Sequence, residues 1–200
     1  ISVASGAFSD SSGNNNLDGS DANNSLTLSV DTVRPTIALT SDTSSLKAGE
    51  TATLTFSLSE ASTDFIESDV AVSGASLSNW TAVSSTVYTA TFTPTADSTT
   101  DGVISVASSK FSDSAGNSNT DGSDSNNSLT LSVDTIRPTI AVNSDVSSLK
   151  AGETATLTFS LSEASTDFTA SDVSVSGGTL SDFSGSGTSY SATFTPTADS

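Results

Sequence analysis

Residues 1–79 of this chain recur, little changed, at residues 104–182. At an offset of 103 the two stretches agree at 63 of 79 positions, and Ser44–Phe65 is identical to Ser147–Phe168. Solenoid repeats run to about 20–50 residues, so a period near 103 is the length of a whole domain. A domain of that size buries roughly two thirds of the surface of its unfolded chain and can hold its own core. The sequence therefore folds as beads on a string, about two domain equivalents in 200 residues. Near-identical beads in series point to spacing or mechanical work and say little about a molecular target.

The punctuation between beads is Asp31-Thr32-Val33-Arg34-Pro35-Thr36, which returns as Asp134-Thr135-Ile136-Arg137-Pro138-Thr139. Proline lacks an N–H, fixes its own φ and drives the preceding residue to an extended conformation. Both copies thus read as short, stiff linkers. Residues 1–30 are then the C-terminal part of a preceding repeat, 31–133 a complete repeat, and 134–200 the N-terminal part of a following one.

The complete repeat reads as seven strands, at 36–40, 51–59, 70–73, 77–80, 87–93, 103–107 and 128–133. The second is the clearest: Ala52, Leu54, Phe56 and Leu58 alternate with Thr and Ser, the period of two of a half-buried strand. In the last, Leu129, Leu131 and Val133 should face inward. Turn residues separate the strands, among them Ala48-Gly49-Glu50, Ser73-Gly74, Thr93-Pro94 and the Gly/Asn/Asp-rich run 112–127. No stretch has helical periodicity. Seven short antiparallel strands in about 100 residues specify an immunoglobulin-like sandwich. The expected class is all-β, with tandem seven-stranded antiparallel sandwiches. The second copy is one residue shorter between Phe183 and Tyr190 than the first between Trp80 and Tyr88, a change that a surface loop tolerates. Trp80, matched by Phe183, reads as core rather than as a platform for sugar.

Residues 134–200 carry counterparts of the first five strands, and residues 1–30 carry counterparts of the last two. Together they make up one repeat that lacks only the counterpart of 99–103. Either the fragments complete each other between neighbouring chains or the chain is cut at that loop. Each alone should expose half a core.

The chain has 23 acidic and 5 basic residues, for a net charge of −18. Such a surface repels nucleic acid and anionic membrane and suits high salt or divalent cations. An acidic chain with 34% hydrophobic residues could be disordered, but the regular alternation argues for folding. Cysteine, histidine and methionine are absent, so no disulfide braces the domains and zinc or another soft-ligand metal is not expected. No apolar run approaches the roughly 18 residues a membrane span needs. No signal peptide is visible; the sequence opens in mid-repeat, so targeting signals are expected elsewhere in the parent protein.

Strand order sends the loops after the second, fourth and sixth strands to the pole where the linker enters. Glu60, Asp64 and Asp69 lie in or beside the first of these, Asp113, Asn117, Asn119, Asp121 and Asp124 lie in the last, and Asp31 enters from the linker. At the opposite pole Asp97 and Asp101 face Asp134, Glu163, Asp167 and Asp172 of the following repeat. Like charges so crowded repel unless a cation sits among them. Ca²⁺, which takes six to eight oxygens in flexible geometry, is the natural occupant. The run Asn117-Ser118-Asn119-Thr120-Asp121-Gly122, preceded by Asn14-Asn15-Asn16-Leu17-Asp18-Gly19, looks like the opening half of an EF-hand loop. The twelfth position holds Ser128 or Ser25 instead of Glu, so it is not an EF-hand. It either wraps an ion or is an Asx-rich turn. Arg34 and Arg137 either pair with a carboxylate and lock the linker or stay solvated, and Lys47 and Lys150 are expected in exposed turns.

The ordered set Leu46-Lys47-Ala48-Gly49-Glu50-Thr51-Ala52-Thr53-Leu54-Thr55-Phe56, Ser59-Glu60, Asp69-Val70, Val72-Ser73-Gly74, Tyr88-Thr89-Ala90-Thr91-Phe92-Thr93-Pro94 and Phe111-Ser112-Asp113-Ser114-Ala115-Gly116-Asn117 resembles the bacterial Ig-like repeats of large RTX and biofilm adhesins. The extender repeats of an ice-binding adhesin from a marine bacterium look nearest. The resemblance covers the whole chain. It implies type I secretion, display on a bacterial cell surface, and calcium at or near the domain junctions, with acidic ligands at the positions of Glu60, Asp69 and Asp113.

The expected function is a structural extender, a calcium-stiffened rod that holds a distal adhesive domain away from the cell, with neighbouring repeats of the same chain as its partners. The alternative is a ligand-binding module acting multivalently on carbohydrate, ice or protein, with Thr51, Thr53 and Thr55 facing outward. No enzyme is expected. Serines abound, but there is no histidine base and no Lys or Cys constellation in its place. The carboxylates suit calcium better than a glycosidase pair.

Overall fold

Ala52, Leu54, Phe56 and Leu58 are buried while Thr53 and Ser57 between them are exposed. The alternation read from the sequence is thus a strand with one face in a core. The computed structural model describes residues 1–19 and 21–198. Contacts between Cα atoms divide it into two units. One takes in Ile1–Ser44, Thr51–Thr93 and Gly102–Leu131, the other Ser45–Glu50, Pro94–Asp101 and the chain from Ser132 onward.

The first eight strands are β1 (Ile37–Ser41), β2 (Ser45–Lys47), β3 (Ala52–Leu58), β4 (Val70–Ser73), β5 (Ala75–Ala82), β6 (Val87–Pro94), β7 (Gly102–Val106) and β8 (Ser128–Asp134). They form two four-stranded sheets, ordered β1-β3-β6-β5 and β2-β8-β7-β4. All pairings are antiparallel except β2 with β8, which is parallel with Leu46 opposite Val133. This all-β sandwich matches the expected class. Seven of the eight strands fall where the hydrophobic pattern put them. β2 is the addition: the pattern predicts no strand at 45–47, just before the turn at Ala48-Gly49-Glu50, and reads Lys47 as a turn residue, yet Leu46 is buried and Ser45–Lys47 pair with β8.

In the first unit the core centres on aromatic rings. Phe65 stacks edge-on to Phe56, Tyr88 and Trp80, with centroids 5.9, 5.1 and 5.3 Å away, and lies 5.2 Å from Phe111. Offset and edge-to-face rings at these separations attract beyond their burial. Trp80 is half-buried and lies 5.2 Å from Phe56, in the core role expected of it. The Tyr88 hydroxyl donates to the Ser62 carbonyl at 2.9 Å, so its buried polar end is satisfied. The sheets meet where β7 crosses β6. Gly102 sits against the Phe92 ring, and a Cβ there would come within 2.1 Å of it.

Residues 1–19 and 21–30 form a hairpin-like segment bridged at Ser2–Ser25 and Ser9–Asn15, with Leu26 N–H donating to Ile1 O at 2.8 Å. Its apolar side chains, Ile1, Phe8, Leu26, Leu28 and Val30 among them, are exposed.

In the second unit β9 (Ile140–Ser144), β10 (Ala155–Ser165) and β11 (Gly178–Pro196) form one antiparallel sheet in the order β11-β10-β9. β11 spans the residues that correspond to β5 and β6. Phe159, Tyr190 and Ala192 are buried, with Leu157, Leu161, Phe168 and Phe183 packed against them. Residues 148–150 and 173–176 correspond to β2 and β4 but are not strands. Strands β8 and β7 hydrogen-bond β2 and β4; this sheet has no strand in either role. Ile140 and Val142 of β9 are correspondingly exposed, whereas Ile37 and Leu39 of β1 are buried.

Candidate metal centre

Asp113 lies just beyond β7, at the start of a tight Asx turn. Its Oδ1 accepts the backbone N–H groups of Ala115 and Asn117 at 2.9 and 2.8 Å, and its Oδ2 accepts the Asn117 side-chain amide at 2.8 Å. Gly116 closes the turn at φ 90°, a conformation that glycine adopts without steric cost. Glu60 follows the end of β3, and Asp31 precedes β1. Each of the three offers one carboxylate oxygen, and these atoms all lie within 4.8 Å of one another. Two oxygens bound to one calcium at 2.3–2.6 Å can be no more than about 5.2 Å apart, so the three fit around one ion. Asp113 is buried, Glu60 intermediate and Asp31 exposed.

The electrostatics follow from this crowding. Partial burial pushes the Glu60 carboxyl above its ordinary range, and a hydrogen bond to Asp113 and the charges of Asp31 and Asp113 push it further. Asp113 goes the other way: the Asn117 side-chain amide, followed by the Asn117 and Ala115 N–H groups, holds it below the usual carboxylate range against its own desolvation. One acid is thus held ionised while its neighbour resists ionisation, a conflict that a divalent cation among them would resolve. An all-oxygen donor set is the hard-cation kind that calcium takes.

The same loop fastens the linker. Asn117 Nδ2 donates to Asp31 O at 3.3 Å, an Arg34 guanidinium nitrogen donates to Ser118 O at 3.1 Å, and Ile37 N–H donates to Asp121 Oδ2 at 2.7 Å. Arg34 therefore holds a carbonyl, neither of the two roles read for it from the sequence. Lys47 is exposed and pairs with Glu50 at 3.6 Å.

Most of the other acids and amides singled out above have hydrogen-bond partners of their own. Asp64 takes the Ser112 N–H and hydroxyl and the Ser62 hydroxyl. Its burial raises the carboxyl, but these bonds outweigh that and hold it below the usual range. Asp69 Oδ2 accepts Ile66 N–H and Asp172 Oδ2 accepts Thr169 N–H, each closing a short 3₁₀ turn. Asn119 is fully buried. Its Oδ1 accepts Lys110 N–H, and its amide donates to Ala107 O and Asp121 Oδ1. Asp124 precedes a 3₁₀ turn over Ser125–Asn127. Asp101 accepts Val133 N–H, Asp134 accepts Ile136 N–H and Asp167 accepts the Ser165 hydroxyl. Asp97 occupies a left-handed turn at φ 51°, and Glu163 borders a cavity in the second unit. Among the described residues no second group of three acidic side chains converges as Asp31, Glu60 and Asp113 do.

The sandwich and its paired sheets define an immunoglobulin-like module. The chain belongs to the bacterial Ig-like domain family, which matches residues 31–130 and again 134–200. Such domains are typically found on extracellular or surface proteins of bacteria and are in general not enzymes. Comparison with curated proteins gave no match. No helix among the described residues is long and apolar enough to cross a membrane.

Proposed function

We propose that the chain is a stretch of extender repeats from a secreted bacterial adhesin of the RTX and biofilm type, stiffened by calcium at the domain junctions. One observation carries the reading: Asp31, which belongs to the linker, meets Glu60 and Asp113 of the sandwich loops within 4.8 Å. An ion held there ties the incoming linker to the domain. Without it, the three carboxylates repel and the linker is left to hydrogen bonds such as those from Asn117 and Arg34 and those between Thr36 and Ser59. Calcium at a free concentration a hundredfold above its Kd stabilises a fold by about 2.7 kcal/mol, which for a domain of this size is on the order of 10 °C in Tm. The test is calorimetry and small-angle scattering of the 200-residue chain in calcium and in EDTA. The expected result is a higher Tm and a longer particle in calcium. Superimposable curves would remove the basis for the reading.

A second reading, a ligand-binding module, has one observation in its favour. Thr40, Thr55 and Thr89 stand opposite one another across β1, β3 and β6, and Thr53 stands opposite Thr91. Binding of the chain to ice or a glycan array, lost on changing Thr53 and Thr55 to Val, would favour it over the extender.

A further inference from the structure

We infer that the open edge of β5 is a contact surface for a second copy of this chain, the two β5 strands pairing antiparallel about a two-fold axis near Leu77. β5 lies inside the complete repeat, with its neighbours in the chain, β4 and β6, both in place. Each four-stranded sheet has two edges, β1 and β5 in one and β2 and β4 in the other. An edge strand offers unpaired N–H and C=O groups to any other strand, and proteins blunt it by shortness, charge, proline or cover. Three of these four edges are blunted. The Ile37 N–H of β1 is taken by Asp121 Oδ2 at 2.7 Å, and Pro35 and Asp42 flank the strand. β2 has three residues and ends at Lys47. β4 has four and directly follows Asp69. β5 has eight residues with no charge and no proline, and none of them is buried.

Charge decides the occupant. Asp69 and Asp97 bracket a run, residues 70–96, that has no Asp, Glu, Lys or Arg in a chain of net charge −18. β4, β5 and β6 all fall in that run. Two copies repel over most of their surface, and this side is where they can come close. One residue interrupts the edge: Asn79 has φ 53°. Ala75, Leu77 and Trp80 are half-buried and the residues between them exposed. The left-handed residue therefore shifts the alternation by one, as a bulge does, and lets Trp80 face the core together with Leu77. Ala75–Ser78 stays regular. Leu77 borders a groove of about 470 Å³ with Val70 and Val72 of β4, and Glu67 is its single acidic lining residue. A partner β5 laid along Ala75–Ser78 would set Leu77 beside its own copy and Ser76 of each copy opposite Ser78 of the other, the self-complementary arrangement of a two-fold contact. In the following repeat the counterpart of Asn79 is Asp182, so that stretch carries a charge that β5 lacks. One uncharged edge per chain makes a dimer, not a polymer.

The test is made on the whole chain, in EDTA so that no cation bridges acidic faces and at high salt to screen the net charge. The chain has no cysteine, so introduced thiols report this contact alone. Directly opposite residues of an antiparallel pair lie about 4.5–5.5 Å apart at Cα, within the span of a disulfide. Ser76→Cys and Ser78→Cys chains, mixed and oxidised, should form a covalent dimer several-fold faster than a Thr53→Cys chain, whose site is exposed on β3. In sedimentation velocity over a concentration series the unaltered chain should rise from 19.9 kDa toward twice that mass and no further. Ser76→Asp with Ser78→Asp alters only exposed side chains, sets like charges directly opposite each other, and should hold the chain at the monomer. Cross-linking no faster than that of Thr53→Cys would overturn the proposal. So would a mass fixed at the monomer, growth past the dimer, or association that persists in the double Asp variant.

Discussion

Asn117 donates to both carboxylate oxygens of Asp113, from its backbone N–H to Oδ1 and from its side-chain amide to Oδ2, each at 2.8 Å. The same amide nitrogen also reaches the Asp31 carbonyl at 3.3 Å. Asn117, one of the residues expected to ligate an ion, holds one acid in place and touches the backbone of another.

Asn117→Ala should therefore weaken calcium without removing a carboxylate. Loss of an outer-shell partner of this kind costs roughly 10- to 100-fold in metal affinity. Isothermal titration of the variant against the parent chain checks it, and an unchanged Kd would show that Asp113 needs no brace.

Glu60 and Asp113 make opposite contributions to pH dependence. The raised Glu60 carboxyl keeps its proton in the folded state after the unfolded chain has lost it, so in EDTA it lowers stability as pH rises above about 4.3, its ordinary value. Asp113 is depressed, so its stabilisation is present above about pH 3.9 and is lost as pH falls below that. A bound cation favours ionised Glu60 and reverses the first effect. The difference in Tm between the parent chain and Glu60→Gln, followed from pH 4 to 7 by calorimetry, should change sign between EDTA and calcium. In EDTA the variant should become the more stable of the two as pH rises.

Gly102→Ala should destabilise the sandwich. The added Cβ would come within 2.1 Å of the Phe92 ring, which is fully buried. Overpacking of this kind costs about 1–3 kcal/mol. A urea titration would read it as a lower midpoint with an unchanged slope.

Ile37→Ala and Ile140→Ala make the same chemical change at matching positions of the repeat. Ile37 is buried, so its truncation should cost about 2–5 kcal/mol. Ile140 is half exposed, and for the monomer its truncation should cost under about 1 kcal/mol. Equal losses in dilute samples would mean that β9 is covered.

The strands were legible wherever burial imposes a period of two, as in Ala52–Leu58 with its four inward side chains. β2 was not, because three residues with one buried leucine carry no period and their partner strand lies more than 80 residues away. The crowding of acids toward the linker was legible from loop order, but the particular trio was not. Asp64 is taken up by Ser112, forty-eight residues distant, and Asp121 by Ile37, eighty-four distant. Asp69, Asp134, Asp167 and Asp172 each bond within three residues of themselves, a pairing local enough to be read from the sequence.

The parallel pairing of β2 with β8 bears on how the sandwich meets tension. Ser45 enters β2 opposite Ser132, and β8 ends with Asp134 opposite Lys47. A pull on the two ends of the chain would draw β2 from its start and β8 from its finish, so their backbone bonds would be sheared together instead of unzipped one at a time. Thr135, just past the end of β8, donates its hydroxyl to Thr95 O at 2.7 Å and accepts Ser98 N–H at 2.9 Å, which carries part of the load into a neighbouring loop. The shortest strand in the sandwich thus sits where an extending force is met in shear.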